Sequence, residues 1–128
     1  MANTDLPLTL PALVSWAASV YGSNTAIKEG DVRLSYRELA TRADRATAAF
    51  IAAGIERGDR VAIWAPNMHE WIEATIGLQS AGAVLVPLNN RLQGSEAADI
   101  LERILTDEAL NRQTFLRPSA EIEEVEWG

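Results

Sequence analysis

The stretch 58–92, GDRVAIWAPNMHEWIEATIGLQSAGAVLVPLNNRL, decides the fold. Gly58-Asp59 turns the chain into Arg60–Ala65, a run short and apolar enough for a buried strand, and Pro66 closes it. Asn67 and Glu70 form a capping pair in which Asn takes the place of Ser or Thr. The helix they open, Met68–Ala81, carries Trp71, Ile72, Ala74, Ile76 and Leu78 around much of its circumference and is expected to be mostly buried. Gly82 ends it, and Val84–Val86 forms the next strand. A strand, a helix and a strand in so short a span make a βαβ unit, which requires a parallel pair.

The pattern extends upstream. Thr9 before Leu10-Pro11 reads as an N-cap with Pro in the first turn, where its missing N–H costs nothing. Leu10, Leu13, Val14, Ala17, Val20 and Tyr21 recur at helical spacing, and Gly22 stops the helix. Thr25–Glu29 and Val32–Ser35 flank the two-residue turn Gly30-Asp31, a hairpin pattern. Ser35 and Glu38 form a capping box for a second helix. Its buried stripe is Tyr36, Leu39, Ala40, Ala43, Ala46, Phe50 and Ile51; Glu38 and Arg42 are an i,i+4 pair on its wet face. Gly54 ends it and Ile55 folds back onto its last turn.

Downstream the signal weakens. Pro87–Gly94 reads as a loop and Ser95 as the start of a helix running to about residues 101–104. Ile104-Leu105-Thr106 reads as a short strand and Asp107–Phe115 as a poor helix. Glu121–Trp127 alternates apolar residues with acids, as a strand fragment or a frayed tail does. The fold class is therefore α/β, a partly parallel sheet flanked by helices.

Composition narrows the function. The formal net charge is −7, and no Lys/Arg cluster could neutralise a row of phosphates, so nucleic acid is not an expected partner. With no cysteine there is no disulfide, zinc-thiolate site or thiol nucleophile. One His, and no clustered carboxylates on matched helix faces, leave little for a metal, and none is expected. The first ten residues have neither a basic nor an apolar region of the kind a signal peptide needs, and no apolar run approaches the roughly 20 residues that span a bilayer. The expected location is cytoplasmic.

Three blocks carry a resemblance. Leu34-Ser35-Tyr36-Arg37-Glu38-Leu39 is similar to the "TYxEL" entry to the second helix of the adenylate-forming superfamily. Gly58–Ile63 with Ala65-Pro66-Asn67 and Glu70 resembles its "GDRVAI…PNSxE" block. Gly82-Ala83-Val84, Val86-Pro87-Leu88-Asn89 and Arg91-Leu92 resemble its "GAVxVPLNPRL" block. Together, in order and over residues 8–103, they place the chain beside the AMP-binding acyl-CoA synthetases, as the first portion of their N-terminal domain. The last block favours the acyl- or aryl-CoA ligase branch over the peptide-synthetase branch.

The resemblance implies a division into 1–103, the N-terminal portion of the synthetase domain, and 104–128, a truncated or divergent continuation with an acidic tail. It implies an acid:CoA ligase of the kind found in fatty acid metabolism, using ATP, Mg and CoA. It also implies parts that are not in the sequence: a Gly/Ser/Thr-rich phosphate loop with its Lys, an acid for the ribose and a mobile C-terminal domain. The single Lys, Lys28, falls in the hairpin. The chain by itself is therefore expected to be inactive, with no catalytic residue. The alternative is a non-enzymatic protein that binds a full-length relative or a separately encoded ligase remainder; a gene product without a role also stays open. A stand-alone dinucleotide module is disfavoured, because Ala65-Pro66-Asn67 lacks the glycines a pyrophosphate requires.

Two departures stand out: Asn90 replaces the Pro of Asn-Pro-Arg-Leu, and Leu101-Glu102-Arg103 runs almost directly into Ile104-Leu105, as after a short deletion. Arg91 is the one candidate for ligand contact, since in some CoA ligases the matching Arg reaches the CoA phosphates; the plainer reading is an Arg that anchors its loop on backbone carbonyls. His69, beside the cap, reads as a surface or packing residue, Asn89 as a tie for its loop, and Trp16, Trp64 and Trp71 as core.

Overall fold

The computed structural model describes residues 7–105, 113–116 and 122–125. Helix α1 (Leu10–Tyr21) leads into a hairpin of β1 (Thr25–Glu29) and β2 (Val32–Ser35), then α2 (Tyr36–Ala52), β3 (Arg60–Trp64), α3 (His69–Ser80), β4 (Val84–Leu88) and α4 (Gly94–Leu105). Two further strands follow, β5 (Gln113–Leu116) and β6 (Ile122–Val125).

The hairpin is a two-stranded sheet of its own, and the larger sheet has the order β4-β3-β5-β6. Strand β3 pairs in parallel with β4 (Arg60 with Val84 through Trp64 with Leu88) and with β5 (Arg60 with Gln113 through Ile63 with Leu116). Strand β6 closes the other edge antiparallel to β5.

The middle of β3 is sealed on both faces, and its period of two sorts the core. Val61 and Ile63 pack with Phe50, Ile55, Leu78 and Ala83 under α2 and α3. Ala62, one step out of phase, packs with Leu88, Ala97 and Leu101 under α4. A third cluster, Leu39, Ala43 and Ile76, joins α2 to α3, with Val14 of α1 and Ala26 and Ile27 of the hairpin against it. Helices thus cover both faces of a parallel core.

Local signals set several boundaries where the sequence puts them. Thr9 Oγ1 accepts from Ala12 N (3.3 Å) and Ser35 Oγ from Glu38 N (3.0 Å), which satisfies orphan donors of α1 and α2. At the end of α2, Ile55 N donates to Phe50 O and Gly54 N to Ile51 O, both at 3.0 Å, with Gly54 at φ 95° where a side chain would be strained.

Other expectations are corrected. The α1 stripe is only shallowly used: Ala17 is buried and Val14 packs on the third cluster, while Leu10, Leu13, Val20 and Tyr21 are exposed. Ile51 also lies outside, at the margin of the α2 stripe. Ile72 leaves α3 less buried than its composition suggests. Strand β4 runs on through Pro87, which an edge strand tolerates because no partner needs its N–H. Helix α4 starts at Gly94 rather than Ser95 and takes in Ile104 and Leu105, so no strand begins there. Residues 113–115 belong to β5, not to a helix, and Ile122–Val125 is a strand. The rest of 106–112 and of 117–128 lies outside the described residues. Arg42 reaches Glu73 of α3 instead of pairing with Glu38 along its own helix.

Candidate functional site

Because β3 and β4 run parallel, the segments that leave them emerge at one end of the sheet, the end where open α/β sheets bind ligands. Two constructions stand there, one that the sequence marks and one that it does not.

The marked one is the turn after β4. Asn89 accepts twice: its carbonyl from Leu92 N and its side-chain Oδ1 from Arg91 N, both at 3.0 Å. This Asx arrangement ties the loop, as expected of Asn89. Leu92 anchors the far side by packing against the α4 cluster, so Asn90 and Arg91 sit at the tip, both exposed. Asn90 holds the position where a turn favours Pro for its fixed φ, which explains why the replacement leaves the turn intact. The loop is held by Asn89, and the Arg91 guanidinium is presented to solvent.

The unmarked construction surrounds the start of α3. No side chain caps this helix from its own strand: Met68 occupies the N-cap position without a side-chain bond, and Asn67 is exposed. The expected Asn67–Glu70 capping pair is therefore corrected. Its work is done by Glu29 at the end of β1, whose Oε2 accepts from His69 N at 2.5 Å across 40 residues of sequence. Asn67 cannot serve because the helix begins two residues after it.

His69 itself is turned inward, its side chain only 11% exposed, and carboxylates face both ring nitrogens. Nδ1 lies 2.7 Å from Oε2 of Glu73, one helical turn on, and Nε2 lies 3.0 Å from Oε1 of Glu70. Glu73 is almost buried and also receives Arg42 Nη1 at 3.4 Å. Glu29, His69 and Glu70 each offer one atom within 4.8 Å of the others. Glu29 and His69 border a cleft of about 400 Å³ between the hairpin and α3, walled by Ile27, Met68, Trp71 and Ile72; neither Glu70 nor Arg91 lines it. Sequence reading missed this cluster because Glu29 and Arg42 reach it by tertiary contact; the available signals were a lone His beside Glu70 at a helix start and Glu73 one turn on.

The sequence model of the family described as AMP-binding enzyme matches residues 14–107. The chain belongs to that family. It is 41% identical, over 113 residues, to a methyl-dioxo-octahydro-indenyl-propanoyl:CoA ligase of Rhodococcus jostii, covering 88% of this chain and 22% of that ligase. It is 43% identical over 90 residues to a crotonobetaine/carnitine–CoA ligase of Salmonella paratyphi B, covering 66% of this chain and 17% of the relative. Among solved structures, the inhibitor-bound N-terminal domain of FACL13 from Mycobacterium tuberculosis superimposes with a TM-score of 0.70 at 33% identity, covering 86% of this chain and 27% of that one. This AMP-binding family chain thus spans about a fifth of the length of the curated CoA ligases it matches. Among its described residues, no helix is long and apolar enough to cross a membrane.

Proposed function

We propose that the chain is the N-terminal share of an AMP-forming acid:CoA ligase and does not catalyse that reaction by itself. In the whole reaction a carboxylate oxygen attacks the α-phosphorus of ATP and expels pyrophosphate; the CoA thiol sulfur then attacks the acyl carbon and expels AMP. Adenylation thus converts a poor leaving group into a good one. The observation that carries the reading is the family match over residues 14–107 to relatives that are CoA ligases several times longer. Residues 1–103 supply the family's portion and 104–128 a divergent continuation, in a cytoplasmic protein.

The residues present do not fit ATP with its Mg. The 128 residues hold one Lys, Lys28, which lies in β1, and no Gly-rich loop from which successive backbone N–H groups could cradle phosphates. The assay is ATP–pyrophosphate exchange by the purified 128-residue chain with a panel of aliphatic and aromatic acids. No exchange is expected, and detectable acyl-AMP would overturn the reading.

For CoA the chain offers one group, Arg91. A guanidinium at the tip of a tied turn, at the ligand end of the sheet, suits a phosphate. In a full-length relative, replacing the matching Arg by Ala should raise the KM for CoA and leave adenylate formation unchanged. An unchanged KM would reduce Arg91 to a surface residue.

A second reading, docking onto the missing remainder of a ligase or a full-length relative, is favoured by the exposed apolar face of α1. Leu10, Leu13, Val20 and Tyr21 leave apolar surface in water that such a partner would cover. Co-purification with a polypeptide bearing the phosphate loop supports that reading; a monodisperse monomer in the presence of such a polypeptide removes it.

A further inference from the structure

Both ring nitrogens of His69 face carboxylate oxygens. A neutral imidazole has one N–H and one lone pair, whereas carboxylates only accept. With Glu73 Oε2 at 2.7 Å, Nδ1 is placed to donate to it. The lone pair of Nε2 then points at Glu70 Oε1, 3.0 Å away, so two acceptors face each other. A metal ion placed where these lone pairs converge would be held by both groups, against the unfavourable end of the α3 dipole.

The surroundings favour the ion. A metal-bound imidazole characteristically donates its other N–H to a carboxylate that fixes tautomer and ring orientation. Glu73 stands in that position, and Arg42 from α2 holds it in turn. A third donor, Glu29, comes from β1, and its Oε2 bond to His69 N fixes the carboxylate beside the ring. The Nε2–Glu70 separation of 3.0 Å is already close to the ~3.3 Å between neighbouring ligands of a tetrahedral zinc ion with bonds of about 2.0–2.2 Å. Glu70, half exposed, can close the remaining distance on its side-chain torsions, while Glu29 keeps its bond to His69 N. A His and two carboxylates suit a borderline divalent ion such as zinc, and the adjoining cleft leaves room for a water as fourth ligand.

We propose that Glu29, His69 and Glu70 form a divalent metal site, zinc in the first instance, with Glu73 as the residue that positions the imidazole. The site joins the β1–β2 hairpin to α3 and does not depend on the ligase reading.

The test uses the full chain, freed of metal by chelator and titrated with Zn²⁺ by calorimetry, and with Co²⁺ to read coordination by its visible absorption. Saturable one-to-one binding in the low-micromolar range is expected, with a Co²⁺ spectrum of low coordination number. His69→Asn should abolish it. Glu70→Gln, at a half-exposed position that leaves the helical circular dichroism intact, should weaken it at least tenfold. Glu73→Gln should weaken it by about 10–100-fold, as loss of an orienting carboxylate does. Absence of saturable binding by the parent chain would overturn the proposal. So would binding that survives both His69→Asn and Glu70→Gln, which would place the ion elsewhere, for instance on the acids of 121–126.

Discussion

The two halves of α3 are held in opposite ways. Its first turn, residues 69–73, is fixed by charged and polar side chains that arrive from outside the helix: Glu29 from the hairpin and Arg42 from α2. Its second half is fixed by shape. Leu78 has no exposed surface, and Gly77 lies so close to α2 that a Cβ built there would stand 2.6 Å from Ala46 Cβ and 3.1 Å from Thr47 N. The apolar half gains from every atom withdrawn from water and tolerates no change of volume. The polar half gains little net energy, because its charges also lose water, but it fixes which groups meet and where. One helix thus carries the stability of the core at one end and the chemistry of a cluster at the other.

The apolar half should break first. Leu78→Ala removes a fully buried side chain from the cluster under β3 and is expected to cost about 4 kcal/mol. In a small chain such a loss is visible as a collapsed urea midpoint or no cooperative transition at all. Gly77→Ala is more discriminating, because its sign is in question. In an exposed helix this change stabilises by about 1 kcal/mol. Here the new methyl meets Ala46, and α2 has to move away, so a net loss of about 2 kcal/mol is expected. Ala46→Gly in the same chain should return part of it. A stabilised Gly77→Ala variant would show that α2 and α3 are not in close contact.

How the sequence could be read follows the same division. Several features set by neighbours along the chain were legible: the Ser35 box, the Gly30-Asp31 turn, the Gly54–Ile55 ending of α2 and the parallel pairing of β3 with β4. The Asn89 tie was legible too, since an Asx turn spans two residues. What depended on distant partners was not. Asn67 and Glu70 have the spacing of a cap, yet the donor at His69 N is met by Glu29, which no local window contains. Glu38 and Arg42 have the spacing of an ion pair, yet the nearly buried Glu73 competes better for the guanidinium. Strand β5 lay in a stretch without clear periodicity, and its place beside β3 is set by the open edge of the sheet rather than by its own pattern. The Arg91 turn was found, and the Glu29 and Arg42 contacts of the His69 cluster were missed, for this one reason.

Within the polar half the largest effect should come from Glu73. Glu73→Ala leaves His69 Nδ1 and Arg42 without their carboxylate, and a loss of about 1.5 kcal/mol is expected in the metal-free chain. Arg42→Ala should cost less, since the guanidinium is about half exposed and water replaces its partner. If the two losses simply add in a double-mutant cycle, Arg42 and Glu73 do not cooperate, and the link from α2 to the cluster is broken.

The smallest effect compares two helix starts. Ser35 caps α2 from its own chain, and Ser35→Ala should cost about 1 kcal/mol. Glu29 caps α3 from a hairpin, so its bond is made only after the hairpin and the helix have docked. Removing it costs less at equilibrium, because the exposed His69 N–H can turn to water, but the loss falls at a different stage of folding. Ser35→Ala should slow refolding in proportion to its stability loss, since a local cap forms with its helix. Glu29→Ala should leave the refolding rate unchanged and speed unfolding, as interactions formed late in folding do. Stopped-flow measurements of both variants separate the cases. A refolding rate that falls for Glu29→Ala would mean that the hairpin docks on α3 before the barrier, and that the polar end of the helix, not its apolar half, is organised first.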